Sequence, residues 1–305
     1  MTKNKVLIIG SEGFFGKSYV NYYSNKTNID KELYTVDIHE IAKQNYFNCD
    51  ATNFNQIDKI IKTVSPNEIY NFSGSFSNDF EIDFLNNVVI TKNIFDSIKK
   101  SELDCRILIN GSAAEYGLIK SEKVLVNEDY PLNPVSFYGL TKAYQTFLAK
   151  TYHNKYNIKV YIARPFNPIG YGISEHLFIG RLISQIKDCL KMQSSIILGD
   201  LYNERDYIDI EDIIRSYEVI MTKGQAGEVY NIGSGKSIKI RDLLLRFLVI
   251  FGIEDTKIEK SNNFVKKFDI PKIVADITKV KALDWEPTIP LEESIKRIKK
   301  CVLSE

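Results

Sequence analysis

The chain is poor in the residues that build disulfide frameworks and metal clusters. It has four cysteines and three histidines among 305 residues, and neither type is clustered. No Cys-x-x-Cys pair occurs. We therefore predict free thiols in a reducing compartment and no metal site. The cysteines are Cys49, Cys105, Cys189 and Cys301.

Long apolar runs and an excess of charge of one sign are also missing. No segment approaches the roughly 18 to 20 apolar residues that span a bilayer. The net charge of +1 gives no electrostatic reason to expect nucleic acid or a membrane surface as a partner. The amino terminus leads directly into a predicted strand without a signal peptide, so we expect a cytoplasmic protein. The 44% of hydrophobic and 26% of charged residues are typical of a globular enzyme.

Short apolar runs alternate with helical patterns in the first part of the chain. Strands are predicted at 6–9, 33–37, 46–50, 68–72, 106–110 and 159–163. Helices are predicted at 14–23, 53–63, 80–100 and 137–152. This alternation predicts an α/β fold, a Rossmann doubly wound parallel sheet with right-handed crossovers.

The alternation breaks after residue 165. We therefore predict a dinucleotide-binding domain over 1–165 and a smaller C-terminal α/β lobe over 166–305, some segments of which return to the main sheet. Such a lobe would cover the carboxyl ends of the strands, where open parallel sheets bind ligands.

A glycine-rich turn lies between the first strand and the first helix. Glycines in this context let the backbone approach a pyrophosphate at a helix amino terminus. A tight turn with no ligand is the alternative. The residues predicted to contact a dinucleotide here are Gly10, Glu12, Gly13, Phe14, Phe15 and Gly16.

Asp37 ends the second strand at the spacing expected for the acid that binds the adenosine ribose. Its carboxylate would repel a 2′-phosphate, and the following residues, from Ile38 on, offer no arginine, so NAD(H) is predicted over NADP(H). Asp50 and Ala51 would lie at the adenine, although this segment could equally serve as a helix amino-terminal cap region.

The end of the fourth strand is predicted to line the same cofactor. Its residues there are Phe72, Ser73 and Gly74, where the backbone would lie along the dinucleotide. For Ser73, the role of a simple turn residue is an equal alternative.

Tyr138 and Lys142 lie four residues apart, on one face of a predicted helix. A nearby cation lowers the pKa of a phenol, and such a tyrosine is an acid or base for alcohol–ketone chemistry. Ser112 follows the fifth strand. The three residues together predict a site for hydride exchange between an alcohol and a ketone.

These motifs resemble the extended short-chain dehydrogenase/reductase family, and the resemblance covers nearly the whole chain. It implies that Tyr138 is the acid/base, that Lys142 lowers the pKa of Tyr138 and holds the nicotinamide ribose, and that Ser112 binds the reacting sugar oxygen. The matching stretches are 10–16, Asp37, Asp50, 110–117, Tyr138 with Lys142, 164–167, 204–209, 227–235 and 285–293.

The resemblance also assigns residues around the cofactor and the substrate. Asn87 falls where the family has a structural asparagine, which would lie beside the cofactor together with Pro165. Asn167 and Arg205 would hold the diphosphate of a nucleotide sugar. Relatives have an arginine near Lys266 or Lys267, where a lysine would have to serve. An ion pair of Arg205 with Glu204 or Asp206 is the alternative.

Ala113 and Ala114 distinguish this chain from sugar 4,6-dehydratases, which have acids directly after the residue that Ser112 matches. Both alanines would line the substrate site without acid–base chemistry. The resemblance implies an oxidoreductase acting at C4 of a nucleotide sugar. The implied substrate is a GDP-linked deoxyhexose or heptose used in bacterial surface polysaccharides. A nucleotide-sugar epimerase is the alternative, and a catalytically silent cofactor-binding subunit is a third.

The long helices at 80–100 and 137–153 resemble those that pair two subunits of this family into a four-helix bundle. A homodimer is therefore expected. Candidate residues of the seam are Phe95, Tyr144, Phe147 and Leu148, for which burial within one subunit is an equal alternative.

Overall fold

The computed structural model describes residues 3–26, 30–119, 125–192, 195–253, 258–261 and 271–304. Its strands are β1 (Asn4–Ile9), β2 (Lys31–Asp37), β3 (Tyr46–Asn48), β4 (Glu68–Asn71), β5 (Arg106–Asn110), β6 (Leu125–Val126), β7 (Lys159–Pro165), β8 (Asn167–Ile169), β9 (Ile196–Leu198), β10 (Glu204–Arg205), β11 (Tyr207–Asp209), β12 (Val229–Ile232), β13 (Ile238–Lys239), β14 (Ile258–Lys260) and β15 (Lys272–Ala275).

The helices alternate with the first strands and dominate the second half. They are α1 (Phe14–Ser24), α2 (Phe54–Val64), α3 (Phe80–Phe84), α4 (Ile90–Lys100), α5 (Phe137–Tyr156), α6 (Phe178–Met192), α7 (Ile210–Lys223), α8 (Ile240–Phe251), α9 (Thr278–Lys281) and α10 (Leu291–Leu303).

A seven-stranded parallel sheet forms the centre, in the order β12-β7-β5-β4-β1-β2-β3. β1 pairs with β2 on one side and with β4 on the other, so the strand order reverses at this point. Ligands bind open α/β sheets at such a reversal, outside the carboxyl ends of the strands. The predicted Rossmann α/β fold is confirmed.

The sheet is covered on both faces because successive residues of its strands point to opposite sides. In β1, Val6 and Ile8 pack into one apolar cluster, whereas Leu7 and Ile9 pack into the other. The first cluster includes residues of α1 and α7, and the second includes residues of α2 and α4. The strands therefore read as continuous apolar runs rather than as alternating ones.

The predicted helix at 80–100 forms as three consecutive segments. A π-helical turn at Leu85–Val89 lies between α3 and α4. It contains the fully buried Asn87, whose side chain bonds the backbone of Ser75 and the hydroxyl of Thr141. A π turn inserts one extra residue into a helix and is frequent at functional sites.

The third predicted strand ends two residues earlier than expected, at Asn48. Asp50 instead folds back on the chain, because its carboxylate accepts bonds from the backbone and the hydroxyl of Thr52. Asn53 then caps α2. The remaining predicted strands and helices of the first half form within a few residues of their expected bounds.

The C-terminal half forms smaller sheets and contains a third apolar cluster. A four-stranded sheet has the order β13-β10-β15-β6, and two-stranded sheets pair β11 with β8 and β14 with β9. The halves interleave, because β6 comes from the first half and β12 completes the central sheet.

Two further observations concern the whole of the described chain. None of the helices in these residue ranges is both long and apolar enough to cross a bilayer. All four cysteines lie within the described ranges and are free thiols, and three of them are buried.

Candidate active site

The glycine turn after β1 is shaped by close backbone contacts. Gly10 has a φ of +78°, and a Cβ built there would lie 2.6 Å from the backbone nitrogen of Ser73. A Cβ on Gly16 would lie 2.1 Å from the carbonyl oxygen of Gly10. Larger residues at either position would push the turn away from β4 or from α1, so the turn depends on both glycines.

The turn places the amino terminus of α1 at the carboxyl edge of the sheet. Gly13 is the residue before the helix, and among the described residues no side chain caps this helix start. The first N–H groups of a helix carry partial positive charge and bind anions. Glu12 precedes this start and Phe14 and Phe15 are the first residues of the helix, and their contact with a pyrophosphate stays a prediction.

Asp37 lies at the end of β2 with only 8% of its surface exposed. One carboxylate oxygen accepts from the backbone of Glu12 at 2.8 Å, and the other accepts from the backbone of Ile38 at 2.8 Å. The second oxygen also lies 2.7 Å from Nδ1 of His39. The carboxylate is therefore held at the edge of the turn, and His39 is a neighbour that the sequence analysis missed.

A cavity of about 270 Å³ joins these segments. It runs from the glycine turn past Asp37 to the segments after β3 and β4, so it brings together residues that lie far apart in the chain and were predicted to bind the cofactor. Its lining residues include Gly10, Glu12, Gly13, Asp37, Ile38, Asp50, Ala51, Phe72, Ser73 and Gly74. The cavity lies between a helix start and a strand-end carboxylate, an arrangement typical of dinucleotide sites.

The segment after β4 is fixed to the helix behind it. A Cβ on Gly74 would lie 2.5 Å from the side-chain oxygen of Asn87 and 3.6 Å from Nζ of Lys142. Ser73 bonds Asn71 through its hydroxyl, which is the turn role that was its alternative. Asn87 donates to the backbone of Ser75 and to Thr141, and its environment is that of a structural residue.

Ser112 and Tyr138 meet at the carboxyl end of β5. Ser112 lies just after this strand, and Tyr138 is the second residue of α5, whose start Ser136 caps. Burial raises the pKa of Tyr138 to about 12, and the neighbouring Ser112 hydroxyl acts in the opposite sense. The carboxylates of Glu115 and Asp83 also raise it.

Lys142 is buried one turn further along α5. Its ammonium donates to the carbonyl of Asn110 at 2.7 Å and to Gln145 at 3.0 Å. Burial lowers the pKa of Lys142 to about 8, against the opposing effect of Glu115 and Asp83. The hydrogen bonds of the ammonium go to Asn110 and Gln145, and the effect of Lys142 on the pKa of Tyr138 stays a prediction.

A buried polar network that the sequence analysis missed holds this ammonium. Gln145 donates to Thr91 at 2.7 Å, and Tyr217 donates to the side chain of Asn110 at 2.7 Å. Gln145 follows Lys142 by three residues and so shares its helix face. That spacing could have predicted the contact of Gln145 with Lys142. The contact with Tyr217 joins α7 to β5, and no local sequence pattern predicts it.

The loop after β4 contributes an aromatic wall beside Tyr138. The rings of Phe76 and Tyr138 lie edge to face, with centroids 4.6 Å apart. The fully buried Asp83 fixes this loop, because its carboxylate accepts from Ser75, from Ser77 and from the backbone of Asn78. Neither Phe76 nor Asp83 stands out in the sequence.

The turn that follows Ser112 has methyl groups where an elimination would need acids. Ala113 and Ala114 are half-buried, and Gly139 of α5 packs so closely that a Cβ there would lie 2.5 Å from the carbonyl oxygen of Ala114. Glu115 is turned inward and fully buried, away from the cleft.

The predicted substrate residues of the C-terminal half are separated from this centre in the chain but adjoin one another. Asn167, in β8, donates from its side chain to the carbonyl of Asp206 at 2.8 Å. Arg205, in β10, is half-buried and donates to the carbonyl of Glu204 at 2.9 Å. Pro165 is buried at the end of β7. Lys266 and Lys267 lie outside the described residues.

The acids beside Arg205 have other partners. Glu204 pairs with Lys272 at 2.9 Å and accepts from Ser237. The fully buried Asp206 accepts from Ser234 and from the backbone of Gly235 and Ala275. Asp206 thereby ties β10 and β11 to β15 and to the loop after β12, a role that the sequence analysis missed.

Comparisons with known proteins agree with this geometry. A family model described as GDP-mannose 4,6 dehydratase matches residues 7–298. A protein described as a candidate UDP-glucose 4-epimerase from Methanocaldococcus jannaschii is 28% identical, over 96% of each chain. A GDP-6-deoxy-D-mannose reductase from Pseudomonas aeruginosa is 25% identical, over 70% of each chain.

Solved structures show the same fold. The structure of RMD from Pseudomonas aeruginosa complexed with NADPH superimposes with a TM-score of 0.86 at 21% identity. It covers 99% of this chain and 98% of its own. The likeness therefore extends through both halves of the molecule.

Proposed function

Because the chain belongs to the GDP-mannose 4,6 dehydratase family, we propose that it is an NAD(H)-dependent oxidoreductase acting at C4 of a nucleotide-linked sugar. The observation that carries the proposal is the meeting of Ser112, Tyr138 and the buried Lys142 beside the dinucleotide cleft. A hydroxyl, a phenol and an amine at that place suit proton transfer at a carbon that exchanges hydride.

In this proposal the chain's residues bind the C4 oxygen and move its proton. Ser112 donates a hydrogen bond to that oxygen, and Tyr138 donates the proton during reduction or accepts it during oxidation. When bound, the nicotinamide dinucleotide supplies or takes up the hydride. Burial holds the pKa of Tyr138 near 12, so the phenol is protonated at neutral pH, as a donor must be.

The cavity beside the glycine turn would hold a dinucleotide, and Asp37 would select which dinucleotide binds. A carboxylate held between Glu12 and Ile38 presents negative charge where a 2′-phosphate would lie. We therefore propose NAD(H) as the cofactor, although the similar RMD structure contains NADPH. Phe15 and Gly16 would shape the turn, and the ammonium of Lys142 would hold the nicotinamide ribose.

For the substrate we propose a GDP-linked deoxyhexose or heptose. The GDP-6-deoxy-D-mannose reductase among the relatives supports the base. Asn167 and Arg205 would grip the diphosphate, because a planar guanidinium fork and a neutral amide suit adjacent phosphoryl groups. Lys266 would add a point charge from outside the described residues.

We do not expect this chain to eliminate water from a sugar, which is the dehydratase reaction named in the family's description. Loss of water across C5 and C6 needs an acid and a base beside the sugar, and the positions after Ser112 hold Ala113 and Ala114. Glu115 is buried in an ion pair with Arg164. Incubation with GDP-mannose or dTDP-glucose should therefore give no 4-keto-6-deoxy sugar, and mass spectrometry showing loss of water would contradict this.

A nucleotide-sugar epimerase with tightly bound NAD is the second candidate. The relative described as a candidate UDP-glucose 4-epimerase supports it. The same three residues would serve, because rotation of a 4-keto sugar needs no further base. An epimerase returns every hydride to its product, so it would invert C4 without net change in NADH absorbance.

Two measurements test the proposal in sequence. Thermal shifts with GDP-, CDP-, UDP- and dTDP-sugars identify the nucleotide that the lobe binds. Absorbance of NADH then follows turnover of the sugars that stabilise the protein, in both directions. Redox turnover supports the oxidoreductase, inversion without redox supports the epimerase, and stable binding without either reaction overturns both.

We also propose a homodimer built on the outer face of α5. Phe147 and Tyr144 expose 57% and 43% of their surface on this helix, and Leu85 exposes 46% on the neighbouring π turn. Leu148 is half-buried. Phe95 is fully buried and stacks on Tyr152, so its placement in the seam is wrong and its alternative of burial within one subunit holds.

In the cell we propose a cytoplasmic role in making a sugar for a bacterial surface polysaccharide or capsule. A sugar nucleotide altered at C4 is the form in which such a residue would be supplied to a glycosyltransferase. Deletion of the coding sequence should remove one sugar from the hydrolysed polysaccharide, and an unchanged sugar composition would contradict this part of the proposal.

A further inference from the structure

Glu115 is fully buried within three residues of Ser112, yet it lies outside the cleft. One carboxylate oxygen accepts from the backbone N–H of Ser112 at 2.8 Å. The other accepts from the hydroxyl of Thr146 on α5 and from the guanidinium of Arg164, both at 2.7 Å. One side chain therefore joins the serine turn, the helix that carries Tyr138 and the end of β7.

Arg164 is held as firmly as the carboxylate. It is 1% exposed, its second terminal nitrogen donates to the hydroxyl of Tyr116 at 2.8 Å, and its guanidinium lies 4.6 Å from the centre of the Tyr116 ring. Tyr116 in turn donates to Asn231 of β12 at 2.7 Å. Apolar residues of similar volume often replace such a buried pair without loss of stability. Stability alone is therefore a weak explanation for an ion pair in this place.

The pair lies where it can fix the orientation of Ser112. The bond from its N–H closes a capping box in which the Ser112 hydroxyl accepts from the backbone of Ala114 at 3.2 Å. A Cβ on Gly111 would lie 2.7 Å from the Glu115 carboxylate, so the turn fits closely around it. Without the carboxylate, the N–H of Ser112 loses its acceptor and the turn loses its anchor to Thr146.

The Glu115 carboxylate also influences the pKa values of Tyr138 and Lys142. It raises the pKa of Tyr138 and opposes the fall in the pKa of Lys142. Asp83 acts in the same sense from α3. Removal of Glu115 should therefore move the titration of Tyr138 to lower pH, while Asp83 keeps part of the effect.

We propose that Glu115, locked by Arg164, is a positioning residue that sets Ser112 against Tyr138 for proton transfer. It touches neither substrate nor cofactor, and its effect passes through the serine turn and α5. This inference rests on the proposed function for its catalytic readout. Its geometric content, the placement of Ser112 and Tyr138, can be measured without a substrate.

The experiment compares two changes with a matched control. Glu115→Gln keeps an acceptor for the Ser112 N–H but removes the charge. Glu115→Leu combined with Arg164→Met replaces the pair by apolar side chains and leaves no unpaired buried charge. Glu68→Gln is the control, because Glu68 is also a buried carboxylate paired with an arginine, Arg106, but at the start of β4.

Turnover is measured with the sugar nucleotide that the native enzyme accepts, and Tyr138 is followed by NMR of tyrosine labelled at the ring carbon that bears the hydroxyl. Tyr138→Phe identifies its signal. We expect the double variant to fold, to lose about tenfold or more in kcat with KM within about twofold, and to titrate Tyr138 at lower pH. Glu115→Gln should lower kcat less, and Glu68→Gln should change neither readout.

Each outcome decides between this role and a structural one. A folded double variant with native kcat and an unchanged Tyr138 titration overturns the inference. Failure of both Glu115 variants to fold would assign the pair to stability and overturn it as well. If the native enzyme turns over none of the sugars, the proposed function fails, but the Tyr138 titration still judges the role of Glu115.

Discussion

Each half of the molecule is organised around a buried carboxylate, and the two carboxylates have different surroundings. Glu115 in the first half meets a guanidinium, a hydroxyl and one backbone N–H. Asp206 in the second half meets one hydroxyl and the backbone N–H groups of Ser234, Gly235 and Ala275. Because the donors around Asp206 are neutral, they offset only part of the free-energy cost of burying its charge. Burial therefore raises the pKa of Asp206 to about 6.

The difference shows what each carboxylate holds together. Glu115 joins the turn of Ser112 to the helix of Tyr138 and Lys142, which are the residues proposed to react, so its loss should show first in turnover. Asp206 joins β10 and β11 to β15 through backbone groups, so its loss should show first in the folding of the lobe. Variants at the two carboxylates therefore separate an effect on turnover from an effect on the folding of the lobe.

The largest effect is expected for Tyr138→Phe. The variant keeps the ring and its packing on Phe76 but has no proton to donate, so turnover should fall at least about a hundredfold, the low end of general acid–base effects. NAD binding and melting temperature should stay unchanged. Tyr144→Phe, on the exposed side of the same helix, is the control. Near-native turnover of Tyr138→Phe on the identified sugar would remove this residue from the mechanism.

A large effect on stability is expected for Asp206→Ala. The change leaves the backbone N–H groups of Gly235 and Ala275 without their acceptor, at about 1 to 3 kcal/mol for each buried group. Urea unfolding should show the loss, and nucleotide-sugar binding should weaken before NAD binding does. Asp188→Ala, an exposed change on α6, is the control.

The pH dependence of this effect has a definite sign. Because the pKa of Asp206 is raised from 3.8 to about 6 in the folded protein, the folded state binds the proton more tightly than the unfolded state. The contribution of this group is therefore present at low pH and is lost as the pH rises through 6. The stability difference between the native protein and Asp206→Ala should be larger at pH 5 than at pH 7.5, and a constant or reversed difference would contradict the titration.

The two halves also differ in how much their sequence predicts. The strands, the glycine turn and Asp37 follow one another in the order that a parallel sheet requires, so local patterns place the cofactor cleft. Even there, the π turn around Asn87 replaces part of a continuous helix, because the side chain of Asn87 bonds the loop at Ser75 rather than following helical spacing. Periodicity cannot report such a contact.

The residues that hold the site in place were harder to predict than the residues proposed to react. Motif and helical spacing predict Ser112, Tyr138 and Lys142. In contrast, Glu115 pairs with Arg164, 49 residues away in the chain, and Asp206 accepts from Ala275, 69 residues away. These contacts depend on which strands become neighbours. A single sequence indicates candidate reacting residues but shows little of the contacts that hold them.

An intermediate effect is expected for Arg205→Ala on substrate binding. If its guanidinium grips the diphosphate, GDP and a GDP-sugar should both bind about 1.5 to 3 kcal/mol more weakly, the range for a hydrogen bond to a charged group. NAD binding should not change. Arg241→Ala, an exposed change on α8, is the control for net charge. Calorimetry that gives native affinity for GDP would leave Arg205 with a structural role.

A smaller effect is expected for Asp37→Ala on cofactor choice. The native protein should bind NAD(H) more tightly than NADP(H), and removal of the carboxylate should narrow that gap by about tenfold, or about 1.4 kcal/mol. Glu40→Ala removes the same charge from an exposed position nearby and should leave the gap in place. Equal affinities for the two cofactors in the native protein would contradict the assignment of Asp37.

The smallest effect on chemistry is expected for Phe147→Glu, which tests assembly alone. If the exposed face of α5 is the subunit seam, a buried unpaired carboxylate there should convert the dimer to a monomer in light scattering. Turnover at saturating substrate should stay within about twofold, because Phe147 lies on the side of α5 away from Ser112. Val249→Glu adds the same charge to an apolar position that is 79% exposed on α8, and it should leave the mass unchanged. A native protein that is already monomeric, or a Phe147→Glu variant that remains dimeric, would place the seam elsewhere or remove it.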